Sequence, residues 1–174
     1  MKVFFLVCAF IAGIPFYAQT DTKQGQVSDA EWDTLDATFV AFIQTLQKED
    51  KAGFKKISLP QVECIDCVGK PEFNGEGYFV PADIFFLNVA KNFTKSPVYK
   101  ALAKRGYTFS IAEIKNFKPK FFPKNYPNNL FIYEVWVPTY LKNELSQGHP
   151  GASHAFQFVK INGEFRFYGL MSIP

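Results

Sequence analysis

Residues 153–174, SHAFQFVKINGEFRFYGLMSIP, decide the fold. Two alternating runs flank Asn162-Gly163. Asn-Gly between such runs marks a β-hairpin, because both residues tolerate φ > 0. On the first run Ala155, Gln157, Val159 and Ile161 share one face, and His154, Phe156, Phe158 and Lys160 share the other. On the second, Phe165, Phe167, Gly169 and Met171 oppose Arg166, Tyr168, Leu170 and Ser172. Both faces carry aromatic or aliphatic bulk, so the hairpin belongs inside a larger sheet that is covered on one side.

Working outward, residues 130–140, LFIYEVWVPTY, read as a strand, and residues 107–114 alternate in the same way. Between them, residues 116–129 form a long irregular connection containing Pro119, Pro123 and Pro127. Residues 141–150 form a polar loop. Further upstream the period becomes helical. Residues 28–50 open on a capping box, Ser28-Asp29-Ala30-Glu31, in which Ser28 accepts from the Glu31 N–H and Glu31 reaches back. Trp32, Leu35, Phe39, Phe42 and Leu46 then draw one apolar stripe down the helix. Residues 50–58 predict a second short helix with Phe54 and Ile57 inward, closed by Leu59-Pro60. Residues 61–68 read as a loop. Residues 81–93 predict a helix with Pro81 at its first position, and residues 96–104 another, capped by Ser96 and stopped by Gly106. Helices first and strands afterwards argue α+β: N-terminal helices packed on a curved antiparallel sheet of four or more strands.

Residues 1–18 read as a secretory signal peptide, with Lys2 as the positive end, an apolar run too short to span a bilayer, and Ala18 before the cut. Residues 19–27 are a flexible leader, and 28–174 form one domain. No later segment approaches the roughly 20 apolar residues of a membrane helix. The expected location is secreted or periplasmic, with no membrane association after cleavage. The formal charge of +3 lacks the concentrated basic footprint of a nucleic-acid binder. Phenylalanine, at 21 residues, points to an aromatic core.

The long first helix, the short helices behind it and the ending GHPGASHAFQFVKINGEFRFYGLMSIP together resemble the nuclear-transport-factor-2-like family, also called the SnoaL-like or cystatin-like cone. Phe156, Phe158, Asn162, Gly163, Phe165 and Phe167 stand where that family has its strand–turn–strand ending. The resemblance implies a sheet wrapped round the first helix, a pocket inside the cone, and homodimerisation through the sheet. The aromatic residues Trp32, Tyr107, Tyr133, Trp136 and Phe156 are the expected ligand contacts of such a pocket. The family hosts isomerases, dehydratases and non-catalytic binders, so membership does not fix function.

The chemistry-bearing residues are few. Cys64 and Cys67 form a CxxC, whose leading reading in an exported chain is a disulfide stapling the 61–68 loop. A thiol–disulfide function is the alternative. Metal binding would need two further ligands, and no second CxxC exists, so neither metal nor cofactor is expected. His154 starts a strand and could act as a base, although a satisfied strand-end histidine is the plainer reading. Glu134 sits mid-strand. It is a proton-transfer candidate if it faces the pocket and a solvated carboxylate if it does not. Lys115, Lys118, Lys120 and Lys124 interleave with Phe117, Phe121, Phe122 and Tyr126, a pattern that could hold an anionic polymer by ion pairing and stacking, although three prolines and a long loop favour a surface feature with snorkelling lysines. The expectation is therefore a non-catalytic binder of a small apolar, amphipathic or anionic molecule, or of a protein partner. The alternatives are a proton-transfer enzyme using His154 or Glu134, and a redox protein.

Overall fold

The computed structural model describes residues 27–73 and 78–173. The expected signal peptide and all of the leader but Val27 lie outside the described residues. Helix α1, Asp29–Gln47, begins as its sequence predicts: Ser28 Oγ accepts from the Glu31 N–H at 3.3 Å. The Glu31 carboxylate does not complete a capping box. It binds Tyr133 and Lys160 instead, because those donors carry it into tertiary contact with the sheet. Helix α2, Lys51–Ile57, is capped by Asp50, which accepts from the Gly53 N–H at 2.9 Å.

Strand β1, Ser58–Cys64, follows at once. This corrects the expectation of a loop at 61–68. Pro60 and the polar Gln61 and Glu63 hide the strand, but Pro60 falls inside a register shift, where no ladder hydrogen bond is demanded of it. A 3₁₀ turn, Ile65–Cys67, leads away from it. Strand β2 is only Phe79–Pro81, so Pro81 caps α3, Ala82–Ala90, rather than opening it. Helix α4, Pro97–Arg105, has Ser96 as cap, accepting from the Tyr99 N–H at 3.1 Å, and ends at Gly106, φ 73°. Strands β3, Thr108–Ile114, β4, Leu130–Tyr140, β5, Ala152–Ile161, and β6, Glu164–Ile173, complete the chain.

These form one six-stranded sheet in the order β2-β1-β6-β5-β4-β3. The last four strands are consecutive antiparallel neighbours, as the alternation predicts. The sheet as a whole is mixed, because β1 joins β6 in parallel. Asn162 and Gly163 turn the β5–β6 hairpin with φ of 51° and 85°. Pairing runs Phe158↔Phe167 and then Gln157↔Gly169, which leaves Tyr168 as an extra residue. This bulge corrects the simple alternation expected on β6. Beyond it Leu170 and Ser172 share the face of Phe165 and Phe167, and Met171 joins the other. Gly169 is required there, since a Cβ would lie 2.6 Å from the Glu63 carbonyl oxygen.

One face of the sheet receives the α1 stripe. Leu35, Phe39, Phe42 and Leu46 are all within 1% of full burial. Phe42 stacks on Phe167 at 4.3 Å between ring centres, and Phe39 tilts against Phe156 at 5.4 Å. Phe54 and Phe85 extend the cluster. The opposite, outer face carries a smaller core of Leu59, Phe122, Leu130, Ile132, Val159 and Tyr168. Phe122 comes from the irregular connection, so that segment folds over the outer face as a cover rather than standing free.

Candidate functional site

The β4–β5 register separates the two proton-transfer candidates. Val137 pairs with His154, and Glu134 pairs with Gln157, three residues along from His154 in an unbroken stretch. An odd spacing on a strand puts the two on opposite faces. His154 and Glu134, each named above as an alternative proton-transfer candidate, therefore do not meet in one site. Glu134 lies on the outer face. There its Oε2 accepts from Ser110 Oγ at 2.8 Å and Trp136 Nε1 at 3.1 Å, and its Oε1 accepts from Gln157 Nε2 at 3.2 Å. His154 lies on the helix side, its Nδ1 2.7 Å from Thr139 Oγ1. Burial holds the imidazole below its ordinary pKa, and the Asp66 carboxylate works in the other direction. Asp66 is itself bound by Ser172 Oγ at 2.8 Å.

The five expected ligand-contact residues divide in the same way. Trp136 is on the outer face with Glu134, which removes it from any pocket shared with the other four. Phe156, at 1% exposure, is packed between Phe39 and Phe42 as core. Trp32, Tyr107 and Tyr133 are brought together on the helix side. Trp32 stacks on Phe109 at 5.6 Å and meets Tyr133 edge-on at 6.0 Å. The Tyr107 hydroxyl donates to Asp36. The Tyr133 hydroxyl donates to Glu31 Oε1 at 2.8 Å, and Lys160 Nζ donates to the same oxygen at 3.0 Å. Burial and the adjacent carboxylates push both tyrosines far above their ordinary pKa, so both keep their protons. Burial raises the Glu31 pKa, but the bonds from Tyr133 and Lys160 outweigh it and hold the carboxyl below its ordinary value.

Tyr133 and Lys160 also line a pocket of about 200 Å³ at the hairpin end of the sheet. Its other walls are Pro123, Asn125, Tyr126 and Pro127 of the irregular connection, Phe131 of β4, and Ile161 and Asn162 at the hairpin tip. The Lys160 ammonium stands 5.6 Å from the centre of the Phe165 ring, a position that favours the cation. Of the interleaved lysines, Lys118 is spent on structure: its Nζ donates to the carbonyls of Lys124 and Tyr126 at 3.1 Å each, and so shapes the pocket rim. Sequence reasoning found Tyr133 and the connection but missed Lys160. The available signal was a lysine alternating with core phenylalanines.

A second cleft, about 440 Å³ and more open, lies between α4 and the end of β4. Lys100, Lys104, Arg105, Thr139, Tyr140 and Glu144 line it. Arg105 Nη1 donates to the carbonyls of Pro138 and Thr139 at 3.0 and 2.6 Å, and its Nη2 is held by both Glu144 oxygens.

Cys64 and Cys67 are bonded, with Cα atoms 5.2 Å apart, and are only 3% and 5% exposed. They tie the end of β1 to the 3₁₀ turn that carries Asp66. Among the described residues no group of three or more His, Cys, Asp or Glu side chains could hold a metal ion. No described helix is long and apolar enough to cross a membrane.

No protein-family model matches the chain, and no curated protein does. Among solved structures, a designed protein titled Rd1NTF2_05, with five substitutions, aligns with 82% of this chain and 99% of its own at 12% identity and a TM-score of 0.37. The fold is α+β, four helices and a six-stranded mixed sheet, with a nuclear-transport-factor-2-like design as a structural neighbour.

Proposed function

We propose that the chain is an exported, non-catalytic binding domain of nuclear-transport-factor-2-like type. It holds a small amphipathic anion in the pocket at Tyr133 and Lys160. The observation that carries this reading is the lining: one ammonium group, amide side chains of Asn125 and Asn162, and a floor of Tyr126, Phe131 and Ile161. A few polar groups placed on an apolar wall are what a small-molecule site needs for orientation and affinity. At roughly 30 Å³ per water, the pocket holds about six or seven water volumes, the size of a short carboxylic acid or a single substituted ring. Lys160 is paired with Glu31 and its side chain is 39% exposed, so an entering carboxylate would share a cation already in place at the pocket wall.

Two further features of the chain weigh against catalysis at this pocket. Tyr133 keeps its proton, and Glu31 is committed to two donors. Neither is poised to transfer a proton near neutral pH.

The test is a thermal-shift comparison of matched pairs, benzoate against benzamide and hexanoate against hexanamide. The acids should raise Tm and the amides should not, and Lys160→Met should abolish the difference. Equal shifts for acid and amide would sink the reading. Export is checked separately by the mass of the mature chain, which should begin at Gln19.

A further inference from the structure

Strand β3 ends the sheet, and among the described residues no further strand pairs with its outer side. It runs from Thr108 to Ile114 in unbroken antiparallel register with β4. None of its residues is fully buried, whereas most alternate residues of β4 are. No turn, loop or cap bond reaches the backbone of Thr108, Phe109, Ser110, Ile111 or Ala112. Among the described residues, the outward N–H and C=O groups of this stretch therefore have no protein partner. Edges are normally blunted by Lys or Pro on the strand, by bulges, or by shortness. β3 has no Lys, Arg or Pro and no register shift. The opposite edge, β2, is guarded: it is three residues long and ends at Pro81.

The cleft at α4 continues this edge; three cations, Lys100, Lys104 and Arg105, line it with one carboxylate, Glu144, which is committed to Arg105. β3 first pairs at Thr108↔Trp136, so the stretch of β4 beyond Trp136 runs on without it. There Arg105 substitutes for a neighbouring strand by donating to the Pro138 and Thr139 carbonyls. Lys100 and Lys104 stand one turn apart on α4 at the cleft wall, both exposed, and no salt bridge involves either among the described residues. Pro97, Ala101 and Tyr140 supply apolar wall between them. Antiparallel pairing with a second copy would bring Lys115 of that copy toward Lys104, with Glu113 nearby as a partial counter-charge, so the cleft is better matched by a segment that carries acidic side chains.

We propose that the β3 edge and this cleft together form a docking site for an extended segment of a partner protein. The segment adds as a seventh, antiparallel strand and places acidic side chains in the cleft against Lys100 and Lys104. Main-chain hydrogen bonds to β3 supply the affinity, and the cleft sets direction and charge preference. This site is distinct from the pocket at Lys160.

The experiment uses the full mature chain and a synthetic peptide of alternating valine and threonine ending in four glutamates. Two controls accompany it, one N-methylated at alternate residues and one with lysines in place of the glutamates. Amide shifts and hydrogen exchange are followed by NMR. The acidic probe should protect amides within Thr108–Ala112, and each control should bind at least about tenfold more weakly. The double variant Lys100→Glu/Lys104→Glu should weaken the acidic probe by about tenfold, or 1.4 kcal/mol. The proposal is overturned if the N-methylated or lysine probe binds as well as the acidic one. It is equally overturned if β3 amides are unmoved at millimolar probe, or if they are protected by self-association of the chain.

Discussion

The Tyr133 hydroxyl donates to Glu31 Oε1 at 2.8 Å, across 102 residues of chain. Lys160 meets the same oxygen, so the first turn of α1 is fastened to both β4 and β5 at the rim of the pocket. Bonds to a charged partner contribute more than neutral ones, and partial exposure of this group reduces the gain. Tyr133→Phe and Glu31→Gln should each cost about 1 kcal/mol in urea unfolding, with a coupling of about 0.5–1 kcal/mol in the double-mutant cycle. Because the folded-state pKa of Glu31 is lowered, its contribution is present above the ordinary value near 4.5 and is lost as pH falls through the folded value. Glu31→Gln should therefore flatten the acid limb of the stability curve. An unchanged limb would show that the carboxylate is not held by these donors.

His154 has the same sign of dependence for a different reason. Burial favours its neutral form, so the folded state binds its proton less readily than the unfolded chain does. Stability should be complete above the ordinary value near 6.5 and decline as pH falls through it toward the lower folded-state pKa. Thermal melts of the wild type and His154→Asn between pH 5 and 8 check this. The variant should lose the slope in that window, and a wild type with no slope there would contradict the placement of His154.

The buried disulfide joins residues only three apart in sequence, so it restrains a short ring. Replacing both cysteines by alanine should cost about 2 kcal/mol on the loop-entropy estimate. The loss should be local first. Exchange of the Asp66 and Ser172 amides should accelerate before that of Phe42 or Phe167, because the bridge positions the Asp66 turn against β6. Burial also shields the bond from thiols, and a reduction potential below about −300 mV is expected. A value near −200 mV would revive the redox reading.

How much of this was legible from the residues depends on the range of the signal. Ser28 and the stripe from Trp32 to Leu46 are local patterns, and α1 forms where they place it, with its stripe against the sheet. Asn162-Gly163 is also local, and the hairpin turns there. The bulge at Tyr168 was not legible, because it answers the parallel approach of β1, whose own sequence is disguised by Pro60. The side of the sheet faced by Glu134 could not be chosen by alternation alone; the register with Gln157 and His154 decides it. The pocket is assembled from residues near 125, 133 and 160 that meet only after the irregular connection has folded over the outer face. Lys160 therefore looked like one more member of an alternating strand.

The most direct measurement is an NMR titration of the mature chain with benzoate, in parallel with Lys160→Met. Saturable shifts should appear at Phe131, Tyr133, Ile161 and Asn162, and should vanish in the variant while the rest of its spectrum stays that of the folded protein. Shifts that persist unchanged in Lys160→Met, or that spread over the surface without saturating, would contradict a small-anion site at the hairpin end of the sheet.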